Sequence, residues 1–167
     1  MSDQPHFRFY PNAFADGDAF ERSEEFCDVC ERTAVWRYVG EIYMEGEPPT
    51  VCARCMASGA LRERLPTDSY VLQDIVLEGA DDDLADEILL ATPSVASVNP
   101  FEWPVIDGEP LAYVGVGDAA SLKGNTRAQR AIAAAFADLG DEEGHASHAL
   151  VFKQLEDDEY VAVIDMD

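Results

Sequence analysis

Lysine is almost missing from this chain. Of 167 residues only Lys123 and Lys153 are lysine, and all basic residues together number 11 against 34 carboxylates, a formal charge of −23. Nucleic-acid affinity rests on lysine and arginine neutralising phosphates, so this balance excludes a nucleic-acid binder, and it disfavours an anionic membrane surface. No run of 18 or more apolar residues occurs, as a membrane-spanning helix would need. The opening MSDQPHFRFYPNAFADGDAF has neither a basic stretch nor an apolar one of the secretory kind, which leads us to expect a cytoplasmic protein. Catalytic signatures are missing too: no G-x-S-x-G, no H-E-x-x-H and no Ser/His/Asp order. The glycines of YVGVGD lack the third member and the following βαβ unit of a dinucleotide fingerprint. The expectation is a protein that is not an enzyme.

Cysteine is scarce but concentrated. All four fall into two Cys-x-x-Cys pairs, Cys27 with Cys30 and Cys52 with Cys55, with 21 residues between the pairs. Each tight turn offers two sulfurs from one side, and two such turns complete a tetrahedral thiolate shell of the kind zinc prefers. A disulfide reading is disfavoured without a secretory signal, and a redox motif would need only one pair beside a βαβ unit. The expected ligands are therefore Cys27, Cys30, Cys52 and Cys55, around one Zn2+ per chain. Iron is the less favoured occupant. With every ligand a cysteine no coordination position is left for water, so the expected role is structural.

The segment 21–64 holds six arginines against nine acids and is nearly neutral within an acidic chain, which marks it as a module. Between the pairs, AVWRYVGEIYMEG alternates around Gly40 and predicts a hairpin; MASGALRERL after Cys55 reads as helix ended by Pro66. The rest is read as follows. DDDLADEILLATP predicts an amphipathic helix with Asp81–Asp83 at its positive end, and it lacks the spaced acids of a calcium loop. GNTRAQRAIAAAFADLGD predicts a helix capped by Asn125 or Thr126, with Ala128, Ile132, Ala135, Phe136 and Leu139 on one apolar face and Gly140 closing it. HALVFKQLEDDEYVAVIDMD predicts a hairpin in which Leu150 and Phe152 answer Tyr160, Ala162 and Ile164. His145 with His148 suggest loop residues more than a metal pair, and Asp165 with Asp167 and Arg127 with Arg130 are expected to be solvated surface. The fold class expected is α+β: a zinc-ribbon-like module with a β-hairpin over residues 1–65, then an acidic mixed helix and antiparallel-sheet region over 66–167, packed with the module as one unit.

The start FRFYPNAFADG, the first pair, YVGEIY and CARCMASGALRERL resemble the CbrC family, bacterial and archaeal proteins linked by name to colicin tolerance, and ATPSVAS, FEWPVIDGEPLAYVGVGD and the terminal LVFKQLEDDEYVAVIDMD are similar to its later segments. The resemblance implies an uncharacterised zinc-binding protein. It also implies further cysteines in relatives where this chain has Asp107, Leu111, Gln154 and Asp157. Three functions follow as expectations: a cytosolic zinc protein acting through a protein partner that is perhaps basic, an acidic inhibitor or immunity-type protein neutralising a basic toxin or nuclease, and an enzyme with a site between module and main region. The acidity itself reads first as adaptation to a salty cytoplasm. Oligomeric state is left open.

Overall fold

The computed structural model describes residues 3–15, 19–66, 68–141 and 144–165. Its chain divides into two compact units, Met1–Asp74 with Asp81–Ala96, and Ile75–Ala80 with Ser97–Asp167. The architecture is mixed α+β, four helices with small, mostly antiparallel sheets. Among the described residues no helix is long and apolar enough to cross a membrane.

The first unit begins as an aromatic knot. Phe7 and Phe14 stack on Phe20 with ring centroids 5.5 and 4.8 Å away, and the Phe14 ring meets Trp36 edge-on at 5.4 Å. Such pairs stabilise beyond their buried area, which matters where strands are this short. Strand β1 (Phe20–Arg22) pairs antiparallel with β2 (Trp36–Tyr38), Phe20 opposite Tyr38. Alternation puts Phe20 and Tyr38 in the core while Glu21 and Arg37 form an ion pair on the outer face.

The module thus contains a hairpin, but not the one read from AVWRYVGEIYMEG. Strand β3 (Tyr43–Met44) turns away from β2 and pairs instead with β4 (Tyr70–Val71). Tyr38 is the reason. Its ring lies over Gly40, where an added Cβ would come within 2.5 Å of the phenol oxygen. The hydroxyl donates to the Glu41 carbonyl at 2.8 Å and accepts from the Ser94 N–H at 3.0 Å. The side chain fills the space that a tight return would need.

Helices α1 (Ala53–Ala57) and α2 (Ala60–Arg64) are one expected helix broken at Gly59, whose φ of 82° is a conformation glycine adopts without strain. The chain leaves the helical path at Leu65, before Pro66. Helix α3 (Asp82–Ala91) carries Asp82 and Asp83 in its first turn, buries Ile88 and pairs Glu87 with Arg8. A buried amide anchors its far end. Gln73 Nε2 donates to the carbonyls of Thr92 and Pro93 at 3.1 and 2.7 Å, and its Oε1 accepts from the Val95 N–H at 3.1 Å.

In the second unit β5 (Ile75–Val76) pairs parallel with β6 (Phe101–Glu102), and β7 (Val105–Ile106) pairs antiparallel with β8 (Glu109–Pro110) across Asp107 and Gly108. Both turn residues have positive φ, 53° and 83°, the geometry of an Asp-Gly hairpin turn. The main sheet has the order β11-β10-β9, with β9 (Ala112–Val116), β10 (Ala149–Lys153) and β11 (Tyr160–Ile164). Helix α4 (Thr126–Asp138) lies on one face and is capped by Asn125, whose side chain accepts from the Ala128 N–H at 3.0 Å. Ala128, Ile132 and Phe136 meet Ala149 and Val151, with Tyr160, Ala162 and Ile164 packed against them.

Two expectations shift by a residue or a turn. Leu139 is 61% exposed and not part of the apolar face: the helix ends at Asp138, and Leu139 swings outward before Gly140, φ 72°. The terminal hairpin forms, but Leu150 and Phe152 face Val163 and Val161, while Tyr160, Ala162 and Ile164 face Lys153, Val151 and Ala149. The Gln154 N–H donates to Glu159 O at 3.0 Å, so the connection takes in more residues than the four acids. One residue of slip exchanges the two faces of a strand. Phe152 accordingly points the other way, toward Trp103 at 5.1 Å and Tyr113 at 5.5 Å between ring centroids.

Replacing Tyr38 by Phe leaves the Glu41 carbonyl and the Ser94 N–H without this partner. Stability should fall by about 1–3 kcal/mol, read from urea unfolding midpoints; an unchanged midpoint would remove Tyr38 as the organiser of this turn. A second expectation concerns pH. Burial pushes the Tyr70 phenol up to about 12, while its hydroxyl donates to the Leu90 carbonyl. Folding favours the neutral form, so this contribution is whole below the unfolded value of about 10 and is lost as the pH climbs through the folded one. Tyrosinate absorbance of the native protein should rise in two stages and that of the unfolded chain in one, and a single native stage would contradict the burial.

Candidate metal centre

The first Cys-x-x-Cys turn sits in the connection from β1 to β2. The Cys27 N–H donates to the Arg32 carbonyl at 2.8 Å, the Glu31 N–H donates to the Cys27 carbonyl at 2.9 Å, and Phe26 bridges to Thr33. Glu31 closes the turn with φ 59°, an uncommon conformation for a residue with a Cβ. The second turn is tied to β2 by a bridge between Arg37 and Cys52 and by the Tyr38 N–H on the Val51 carbonyl at 2.9 Å. Cys52 stands at the entrance to α1 and Cys55 inside it.

Asp28 joins the two turns. Its carboxylate accepts from the Thr50 N–H at 2.7 Å, and its own N–H donates to the Thr50 carbonyl at 2.8 Å. These bonds place residues 22 positions apart side by side. They are what brings the second pair of cysteines to the first.

The four sulfurs, from Cys27, Cys30, Cys52 and Cys55, all lie within 4.8 Å of one another. Cys27 Sγ and Cys55 Sγ are 3.8 Å apart. Four sulfurs at about 2.3 Å from a central ion stand about 3.8 Å from each other in a regular tetrahedron. A disulfide would need about 2.05 Å, and all four are free thiols. Cys27, Cys52 and Cys55 are buried, and Cys30 is the most accessible of the set.

The electrostatics of the four sulfurs are uneven. Burial pushes the Cys52 and Cys55 thiols up. It acts on Cys27 as well, but there N–H donors from Cys30, Cys52 and Val29 outweigh it, and the thiol falls below its ordinary value. The Val29 and Cys52 donors each stand 3.4 Å from the Cys27 sulfur. Cys30, Cys52 and Cys55 also line a cavity of about 280 Å³ together with Arg32, Arg54 and Trp36. Arg54 Nε is buried with no hydrogen-bond partner, the one such side-chain atom among the described residues. The same guanidinium pairs through Nη1 with the Asp3 carboxylate at 3.8 Å, so Nε alone is unmatched. A cation lining the same cavity as the sulfurs suits an anionic set better than neutral thiols. The residues present therefore fit a bound metal ion.

The other sequence candidates do not assemble. His145 and His148 are exposed, their rings 6.3 Å apart and edge to face. Among the described residues no other group of three or more His, Cys, Asp or Glu comes close enough to hold an ion. Asp165 is a fastener, its carboxylate accepting from the N–H groups of Val98 and Asn99 at 2.6 and 3.1 Å, and Asp167 lies outside the described residues. Arg127 donates to the Asp158 carbonyl at 3.3 Å. Sequence reasoning missed Asp28 and Arg54, since neither has a spacing that announces its partner.

A family model described as an uncharacterised protein family, UPF0167, matches residues 4–163. The chain belongs to this family. Among curated proteins it is similar to UPF0167 protein Mb2317 of Mycobacterium bovis and UPF0167 protein MT2352 of Mycobacterium tuberculosis. Each is 27% identical over 112 residues, 66% of this chain and 59% of the relative. The chain thus matches little more than half the length of these relatives. No solved structure matches it. The family match corrects the resemblance drawn from the sequence: the assignment is to UPF0167 and not to CbrC. The colicin link and the second set of cysteines implied in relatives are withdrawn with it.

If Arg54 offsets the charge of a loaded thiolate set, Arg54→Met should weaken metal retention by about 10–100-fold, as loss of an outer partner typically does, and Arg54→Lys by less. Competition against a chromophoric chelator reads both, and equal retention in all three proteins would reduce Arg54 to an ordinary surface residue.

Proposed function

We propose that this protein holds one Zn2+ per chain on Cys27, Cys30, Cys52 and Cys55, that the ion is a structural cross-link of the first unit, and that the protein works by binding another protein and not by catalysis. The observation that carries this is the closeness of four cysteine sulfurs, within 4.8 Å of one another. An all-cysteine shell leaves no position for a reacting water, which is the pattern of structural zinc. Sulfurs this near suit a single central ion. Zinc is favoured over iron because a closed tetrahedral site needs no redox chemistry.

Energetics favour the structural role. Zinc on such a site contributes about 10–16 kcal/mol of apparent binding energy, against about 5–15 kcal/mol for the stability of a whole domain. The strands flanking the first cysteine turn are three residues long, too short to persist as an isolated ribbon in water. The ion takes the place that a larger sheet would fill elsewhere.

Purified protein should contain one zinc per chain by elemental analysis. Stripping it with a chelator, or Cys27→Ser, should abolish the cooperative melt of the first unit and leave the circular-dichroism signal of the second. Iron in place of zinc would overturn the identity of the ion, and an unchanged melt after stripping would overturn its structural role.

A further inference from the structure

Phe26 is the most exposed of the large apolar residues, at 69%. It is not loose. The bridge to Thr33, the Ala34 N–H on Glu25 O at 2.6 Å and the Cys27 N–H on Arg32 O at 2.8 Å hold the backbone on both sides of it. An apolar ring fixed in solvent by the metal turn, when the same unit buries Phe7, Phe9 and Phe20, asks for a partner.

The ring stands at a groove of about 840 Å³ whose walls include Pro48, Pro49, Asp28, Glu31 and Glu47. Three carboxylates and one basic residue, Arg64, thus line the groove. Glu24, exposed like Glu31 and Glu47, precedes it in the chain. An aromatic and proline lining interspersed with carboxylates complements a segment that carries an apolar side chain among arginines or lysines. A second copy of this chain fits poorly, since each brings a charge of −23. A nucleic acid or an anionic membrane is repelled for the same reason.

We propose that the groove beside the first cysteine turn, lined by Phe26, Pro48 and Pro49 together with Glu31 and Glu47, docks a basic protein segment bearing an apolar side chain. This deepens the reading of the protein as a metal-stabilised binding module, because the turn that presents Phe26 is the one that supplies Cys27 and Cys30. The aliphatic or aromatic side chain of the partner would cover Phe26, and its cationic groups would pair with Glu31 and Glu47. Affinity would therefore need both features together.

The test uses the full metal-replete chain and a fluorescein-labelled synthetic peptide of alternating arginine and leucine, followed by anisotropy at physiological salt. A peptide of alternating arginine and serine is the control for charge alone. Phe26→Ser and the double variant Glu31→Lys with Glu47→Lys should each weaken binding of the first peptide by about tenfold or more. Glu156→Lys with Asp157→Lys, which changes the net charge equally, should leave it within about twofold, since rim charges outside an interface act through screened fields. Metal content and melting of each variant, measured alongside, show that the fold is intact. Equal binding of both peptides, equal loss in both double variants, or no effect of Phe26→Ser overturns the docking site. Zinc present without peptide binding sinks this inference alone, whereas peptide binding by a protein that carries no zinc sinks the metal reading alone.

Discussion

Two turns that are far apart in the chain are held against each other, and the first unit depends on that meeting. Asp28 does the holding with two hydrogen bonds to Thr50, and the sulfurs of both turns arrive in consequence within 4.8 Å. Four thiols crowded together are a poor arrangement for neutral groups and an anionic one once a cation draws off their protons. Arg54, whose Nε is buried without an acceptor while its Nη1 pairs with Asp3, lines the same cavity as three of the sulfurs. The surrounding elements are too slight to take over: β1 and β2 have three residues each, and α1 and α2 five. The aromatic knot of Phe7, Phe14, Phe20 and Trp36 supplies packing there, and an ion on the sulfurs would add to it, as proposed above.

The second unit solves the same problem by ordinary means. Its sheet has two apolar faces, one under α4 and one under Trp103 and its aromatic neighbours. Trp103, 1% exposed, satisfies its ring N–H on the Leu111 carbonyl at 2.9 Å. Here burial in two layers supplies what the cross-link proposed for the first unit would supply there.

What could be read from the sequence follows from how local each signal is. The cysteine pairs stand out because ligand spacing is set within one turn. Helix α4 does too, since its cap and its three buried residues repeat every four positions. The hairpin around Gly40 misleads because alternation says nothing about whether the turn has room, and a side chain two residues back occupies it. The terminal hairpin was right in kind and one residue wrong in register, which the pattern alone leaves open when both faces of β10 are apolar. Gln73, Asp28 and Arg54 stayed hidden, for their partners are backbone groups or a cavity assembled by the fold. Short shared motifs also suggested a different family from the one whose model spans nearly the whole chain.

The path of the chain carries a consequence for how this protein can be divided. It leaves the first unit after Asp74, contributes β5 to the second, comes back for α3, and departs again at Ala96. Three crossings mean that no single cut yields two whole pieces. A fragment ending near residue 65 forfeits Gln73 together with the helix end that Gln73 clasps, and a fragment beginning there keeps α3 but loses the cysteine turns of the unit to which α3 belongs. Recombination at one breakpoint would leave at least one unit incomplete, which favours inheriting the pair together.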